Sequence, residues 1–108
     1  MRRLLVALAL ASILAGIGAA LALARTKSVG LQDNFFTTTT VKIKRGSAVH
    51  WHWKTGNRHN VTGSTKGARF HSRTAKSGDI THTFNSRGTF TIICTRHATQ
   101  MRMRVRVT

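Results

Sequence analysis

The hydrophobic and polar residues after position 28 alternate over short stretches, which is the pattern of half-buried β-strands. The alternation is clearest in residues 40–44, 48–54 and 103–107. In the middle stretch two tryptophans and a valine share one face, and the histidines His50 and His52 share the other. Because no window after residue 28 has the period of an amphipathic helix, the pattern predicts an all-β domain.

Two further strands, separated by a turn over residues 85–88, are marked by the apolar residues Ile80, Phe84, Phe90 and Ile92. Residues 62–78 are rich in Gly, Ser, Thr and Lys, and this composition predicts a long crossover loop. Several short strands divided by turns are typical of a β-sandwich or a small barrel.

The first 24 residues have the organisation of an export signal. Two arginines follow Met1, residues 4–24 carry no charge, and the segment closes on the small residues of Ala22-Leu23-Ala24. We therefore expect a signal helix that is cleaved near Ala24, which leaves residues 25–108 as one exported domain in the periplasm, at the cell surface or outside the cell. An uncleaved membrane anchor through residues 4–24 is the alternative, because 21 uncharged residues are just long enough to span a bilayer.

The chain is strongly basic, with 18 Lys and Arg against two acids, Asp33 and Asp79, and a formal charge of +16. Cleavage after Ala24 removes two arginines and leaves +14. Two distant carboxylates exclude paired-carboxylate catalysis and a carboxylate-lined calcium or magnesium site. The charge predicts an acidic protein partner or an anionic membrane surface. Nucleic acid is not an expected partner, because the domain is exported and its arginines alternate along strands without aromatic stacking platforms.

The single cysteine excludes an intramolecular disulfide. An exported domain of 84 residues has a marginal core and normally gains stability from cross-links. A bound metal ion would supply the missing constraint, because its binding free energy adds to the free energy of folding.

Residues 94–101 carry three potential metal donors between an apolar strand and the last strand, namely Cys94, His97 and Met101. His59, which follows the turn at residues 55–57, offers a second imidazole. A thiolate, two imidazoles and a thioether form the donor set of a blue-copper site. The alternatives are that Cys94 is a small buried hydrophobe and that His59 is an ordinary loop histidine.

Met103 is the alternative to Met101 as the thioether donor. Strand alternation groups Met103 with Val105 and Val107 as inward-facing residues, which favours Met101. The remaining histidines are expected outside the donor set, on the solvent side (His50 and His52), in the core (His82) or in the predicted loop (His71).

The spacing Cys94-x2-His97-x3-Met101, with His59-Asn60-Val61 upstream, resembles the cupredoxin family and, within it, the plastocyanin-like and amicyanin-like domains. The resemblance covers nearly all of residues 25–108 and extends to residues 33–35, 44–51, 57–61 and 84–90, the last of which resemble the hairpin that delivers the cysteine. It implies a Greek-key β-sandwich of about seven to eight strands that holds one type-1 copper ion. The family pattern implies His59, Cys94 and His97 as equatorial copper ligands and Met101 as the axial ligand.

Two positions depart from the family pattern. The spacer between His97 and Met101 is one residue shorter than in plastocyanins and one residue longer than in amicyanin-like domains. Arg96 stands where a proline is common in the family.

The resemblance implies a monomeric electron carrier that cycles between Cu(II) and Cu(I) with a redox partner, rather than an enzyme. A copper-buffering or copper-delivery module without redox turnover is the alternative. His97 is the expected exit for the electron. Positive charge beside the metal disfavours Cu(II), so the neighbouring arginines predict a raised reduction potential; they are Arg58, Arg96 and Arg102.

Overall fold

The computed structural model describes residues 24–108, and the predicted signal helix and the alternative anchor lie outside these residues. No helix in the described part of the chain is both long enough and apolar enough to cross a membrane. Nine short strands follow one another in this part: β1 (Thr26–Gln32), β2 (Phe35–Phe36), β3 (Thr40–Ile43), β4 (Ala48–Trp53), β5 (Thr62–Thr65), β6 (Ala68–His71), β7 (Asp79–Thr83), β8 (Gly88–Ile93) and β9 (Arg102–Val107). A single 3-10 turn, Thr95–His97, connects β8 to β9.

The strands form two sheets, which confirms the predicted all-β sandwich. The first sheet has the order β2-β1-β4-β7, and the second has the order β3-β9-β8-β5-β6. The pairs β1–β4 and β3–β9 are parallel, and the remaining pairs are antiparallel. Strand β8 therefore has a paired strand on each side within the second sheet. The residues that follow β8 are held in place by this pairing.

The core lies between the two sheets and is built from the inward positions that alternation predicts. Strand β9 shows this most clearly, because its inward residues are buried and its three arginines are exposed. In the first sheet, Val49 and Trp51 on β4 are fully buried, whereas Trp53 near the end of the strand is half-buried. Burial of these large apolar side chains supplies the main free energy of folding.

The predicted crossover loop over residues 62–78 is wrong, because its first half is the β5–β6 hairpin. The sequence shows no hydrophobic alternation over β5, because Gly63 occupies an inward position on this strand. A Cβ atom at Gly63 would lie 2.7 Å from Cε1 of Phe70 and would collide with the carbonyl oxygen of Ala68. The ring of Phe70 fills the space that a side chain would otherwise take, so a strand is present without an apolar residue to reveal it.

The expected hairpin over residues 84–90 is also different in the structure. Strand β7 pairs with β4 in the first sheet, whereas β8 pairs with β9 and β5 in the second. The turn therefore crosses from one sheet to the other, with Phe84 fully buried at the crossing. This crossing places β8 so that Cys94, the residue after its last position, faces the interior at one end of the sandwich.

Candidate metal centre

His59 and residues 94–101 meet at one end of the sandwich, and we call them the donor pole. Cys94 is a free, fully buried thiol directly after β8. Its Sγ lies 3.9 Å from Nδ1 of His59 and accepts a hydrogen bond from the backbone N–H of Asn60 at 3.4 Å. A backbone N–H directed at the sulfur stabilises a thiolate, which is the form that binds a metal.

His59 is fully buried, and backbone hydrogen bonds with Ala75 fix its position. Its N–H donates to the carbonyl of Ala75 at 2.9 Å, and its carbonyl accepts from the N–H of Ala75 at 3.0 Å. Burial lowers the pKa of His59, the nearby His97 lowers it further, and Asp33 acts in the opposite direction. The imidazole is therefore kept neutral, as a metal ligand must be. Its Nε2 atom is buried without a hydrogen-bond partner.

His97 lies at the end of the 3-10 turn and is half-buried. Its ring meets the ring of His59 edge-on, with 5.6 Å between the ring centroids and an interplanar angle of 68°. Three backbone hydrogen bonds fix its position: its own N–H donates to the carbonyl of Cys94 at 3.1 Å, and its carbonyl accepts from the N–H of Gln100 at 3.0 Å and from that of Met101 at 2.8 Å. The imidazoles predicted from distant parts of the sequence are therefore neighbours.

The two candidate methionines have different surroundings. Met101 is fully buried, and its carbonyl accepts a hydrogen bond from the N–H of Cys94 at 3.1 Å. This bond places the last residue of the loop 94–101 next to the first. Met103 is buried in the core, where its sulfur accepts a hydrogen bond from Nε1 of Trp51 at 3.3 Å. The thioether of Met103 is thus engaged with an indole in the core, which leaves Met101 as the better candidate donor.

Two pairs of donor side chains are neighbours at the donor pole, Cys94 with His59 and His59 with His97, but the set does not converge on one point. Across residues 24–108, no three side chains of His, Cys, Asp or Glu are gathered closely enough to hold an ion as they stand. His59 is the common member, since it contacts both Cys94 and His97. The chemistry of the set fits a copper ion, because a thiol and a neutral, incompletely satisfied imidazole are buried side by side.

Asn60 connects the two segments that carry the donors, a role that the sequence analysis missed. Its amide donates to the hydroxyl of Thr95 at 2.7 Å and of Thr74 at 3.0 Å. Its side-chain oxygen accepts from the N–H of Thr95 at 3.1 Å and from the hydroxyl of Thr62 at 2.9 Å. The position directly after His59 was the only sequence signal, because the partners are far apart along the chain.

The other histidines lie outside the donor pole. His50 and His52 are half-buried, so the expectation that they are exposed is only partly correct. His82 is half-buried and stacks on Phe70 with 4.2 Å between ring centroids, and burial lowers its pKa. His71 is exposed, with Nδ1 at 2.8 Å from the hydroxyl of Thr62.

Positive charge surrounds the exposed edge of His97. Arg58, Lys76 and Arg96 line a shallow depression together with this histidine. Arg102, the third arginine singled out in the sequence, is exposed and donates from Nη1 to the carbonyl of Ala98 at 3.4 Å. Lys76 was not predicted, because it lies in the middle of the stretch that was interpreted as a loop.

A two-sheet β-sandwich with a buried thiol, two imidazoles and a thioether at one end is the architecture of a small copper protein. The model of the copper-binding proteins of the plastocyanin/azurin family matches residues 25–108. The chain belongs to this family, and its cofactor is a copper ion. No curated protein sequence matches the chain.

Solved structures agree with this assignment. The chain is similar to amicyanin from Paracoccus versutus (Thiobacillus versutus), with 29% sequence identity, a TM-score of 0.66, and coverage of 77% of this chain and 81% of that chain. A variant of amicyanin in the reduced Cu(I) form at pH 4 is 25% identical, with a TM-score of 0.68 and coverage of 77% and 82%. A purple cupredoxin from Nitrosopumilus maritimus is 18% identical, with a TM-score of 0.65 and coverage of 76% and 99%, which shows the fold alone. The predicted cupredoxin-like domain is confirmed.

Proposed function

We propose that the protein is an exported, monomeric blue-copper electron carrier and not an enzyme. His59, Cys94 and His97 would hold the copper ion, and the thioether of Met101 would be its fourth and weakest donor. The observation that carries this proposal is the buried contact between Sγ of Cys94 and Nδ1 of His59 at 3.9 Å, with His97 against the same imidazole. Copper bound there supplies a one-electron couple between Cu(II) and Cu(I).

The residues of the donor pole limit structural change when an electron moves. The backbone hydrogen bonds among Cys94, His97 and Met101 close the loop on itself, and Asn60 ties the loop to the segment of His59. Because the backbone around the donors is held by hydrogen bonds, the positions of the donors should change little when the copper ion is reduced or oxidised.

The surface around His97 supports a role as the exit for the electron. His97 is the half-buried imidazole of the pair, and Arg58, Lys76 and Arg96 stand around it. This rim would attract an acidic redox partner or an anionic membrane surface and would orient His97 toward it. Replacing Arg96 with Gln should lower the association rate at low salt and flatten its salt dependence, whereas Arg87→Gln, away from this rim, should not.

The site is tested by adding Cu(II) to the purified protein and recording its visible spectrum. We expect an intense blue thiolate-to-copper band that is absent in Cys94→Ser and kept in Met103→Leu. An unchanged spectrum in Cys94→Ser would refute the ligand assignment. Reversible one-electron voltammetry would support the carrier, whereas loss of copper on reduction would support a buffering or delivery module.

The effect of the charge near the donor pole can be measured through the reduction potential of the bound copper. Neutralising Arg58, Arg96 and Arg102 together should lower the reduction potential, because positive charge disfavours the more positive oxidation state. The shift should be small, since all three arginines are exposed to solvent and screened by salt. A potential that stays constant would show that these charges do not tune the site.

A further inference from the structure

The outer surface of the first sheet carries two histidines side by side. His50 and His52 are two residues apart on β4, so their side chains project from the same face of the sheet. Their rings are nearly parallel, with an interplanar angle of 19° and 5.8 Å between the ring centroids. This arrangement lies on the opposite side of the sheet from the buried Trp51 and is separate from the donor pole.

The surroundings of these histidines are unusual for so basic a chain. Their register partners on β1 and β7 are Ser28, Gly30, Thr81 and Asp79, and the stem of Lys54 lies over Gly30 on the side of His52. Asp79 is one of two acids in a chain with 18 basic residues. Its Oδ2 atom lies 3.5 Å from Nε2 of His50. Asp79 therefore offsets positive charge next to His50, whereas Lys54 stands on the side of His52.

We propose that His50 and His52 form a second metal site, which takes a divalent transition-metal ion with Cu(II) ahead of Zn(II) in affinity. We call His50, His52 and Asp79 the histidine face. The rings are stacked with 5.8 Å between their centroids, so one ring has to turn about its side-chain torsions before a nitrogen of each can bind the same ion with bonds of about 2.0–2.1 Å. Water completes the coordination, so the site is open to solvent.

Asp79 acts as a positioning residue in this site. Its contact with Nε2 of His50 favours the tautomer with the proton on Nε2, which leaves Nδ1 as the donor. The metal is therefore held by two imidazoles, with the carboxylate behind one of them.

The histidine face and the donor pole should select different ions. The donor pole offers thiolate and thioether sulfur, which favour Cu(I), whereas the histidine face offers imidazole nitrogen and water, which suit Cu(II) and Zn(II). The two sites also belong to different sheets, since His50 and His52 lie on β4 and Cys94 follows β8. The second site thus goes beyond the proposed electron carrier and does not depend on it.

The test is a titration of the protein that already holds one equivalent of copper. A second equivalent of Cu(II) should give a new paramagnetic resonance signal without increasing the blue band, and Zn(II) should compete for it. His52→Gln should weaken this second binding by about tenfold or more, since even outer partners of metal ligands contribute about 10–100-fold. Asp79→Asn should produce a smaller loss, because it removes the orienting contact and keeps both donors.

The matched control is His71→Gln, which removes an exposed histidine of the second sheet. This variant should bind the second equivalent as the unmodified protein does. Equal binding by His52→Gln, or an equal loss in His71→Gln, would overturn the proposal and show unspecific binding to surface histidines. Repeating the titration in Cys94→Ser keeps the result independent of the donor pole, and circular dichroism checks that each variant is folded.

Discussion

The donor pole and the histidine face each bring two imidazoles within 6 Å of one another, with centroid separations of 5.6 and 5.8 Å. They differ in what surrounds the rings. His59 is fully buried between backbone hydrogen bonds and a thiol, whereas His50 keeps 31% of its side chain exposed beside an Asp79 that is 69% exposed. Proximity of two imidazoles is therefore common to both regions, and the full burial of His59 together with the thiol beside it distinguishes the donor pole.

This difference predicts two kinds of copper chemistry within one small domain. A buried imidazole is kept neutral and in one orientation, so the cost of arranging the ligands is paid during folding. The half-buried pair on the outer face keeps more rotational freedom and hydration, and both must be reduced when an ion binds. We therefore expect the donor pole to bind copper more tightly and to give a single spectroscopic form.

The largest effect on copper binding should come from replacing one histidine in each region with glutamine. His59→Gln should abolish the blue band and lower copper affinity by more than the roughly 10–100-fold loss that outer-shell changes cause, because a direct ligand is removed. His52→Gln should leave the blue band intact. Visible absorption during a copper titration measures both. A blue band that persists in His59→Gln would remove the distinction between the two regions.

The next effect concerns the hydrogen bonds that hold the donor pole together. Asn60→Ala removes four side-chain hydrogen bonds at a buried position. It should lower the free energy of unfolding of the copper-free protein by about 2–4 kcal/mol, because four hydrogen bonds that contribute about 0.5–1.5 kcal/mol each are lost together. Urea unfolding measures this change.

Asn57→Ala is the matched control for Asn60→Ala. Asn57 is exposed, and its amide donates to Asp33 at 3.3 Å. Its removal should change the free energy of unfolding by no more than about 0.5 kcal/mol. Equal losses for the two variants would mean that the connection through Asn60 does not stabilise the donor pole.

The sequence predicted those features that depend on neighbouring residues. Strand β9 was predicted because each exposed arginine follows a buried apolar residue. The donors of residues 94–101 were predicted because they lie within one loop, where spacing alone brings them together. The β5–β6 hairpin was missed because its key inward residue is Gly63, which has no side chain to produce a hydrophobic pattern.

Features that depend on contacts between distant residues were not predictable. Asn60 bonds to Thr74 and Thr95, which lie 14 and 35 residues away, so nothing in the local sequence marks its role. The contact between His50 and Asp79 likewise depends on the pairing of β4 with β7. The position of Lys76 beside His97 depends on how the segment after β6 returns to the donor pole.

The third effect distinguishes Met101, the proposed copper ligand, from Met103, the core residue, by substituting each with leucine. Met101→Leu should change the visible and paramagnetic resonance spectra of the copper protein and cost less than about 1.5 kcal/mol of stability, because the volumes are similar. Met103→Leu should leave the spectra unchanged and cost about 1–3 kcal/mol, because the buried Nε1–H of Trp51 loses its acceptor. Spectra that respond to Met103→Leu and not to Met101→Leu would reverse the assignment of the axial ligand.

The smallest effect is the response of the copper-free protein to pH. Burial, together with the neighbouring His97, lowers the pKa of His59 from its ordinary value of 6.5, so the unfolded chain takes up a proton at a higher pH than the folded chain does. The free energy of unfolding should therefore fall as the pH drops through 6.5 and level off once the pH is below the lowered pKa of His59. One such group contributes at most about 1.4 kcal/mol for each pH unit in this window.

Urea unfolding of the copper-free protein between pH 7.5 and pH 5, on either side of the ordinary histidine value, measures this dependence. His59→Gln should reduce the slope and leave a remainder from His82, whose pKa burial also lowers. His71→Gln should keep the slope, because that side chain is exposed and belongs to neither region. A slope that survives unchanged in His59→Gln would show that the burial of this imidazole does not control its protonation, and the contrast between the donor pole and the histidine face would then rest on the sulfur donors alone.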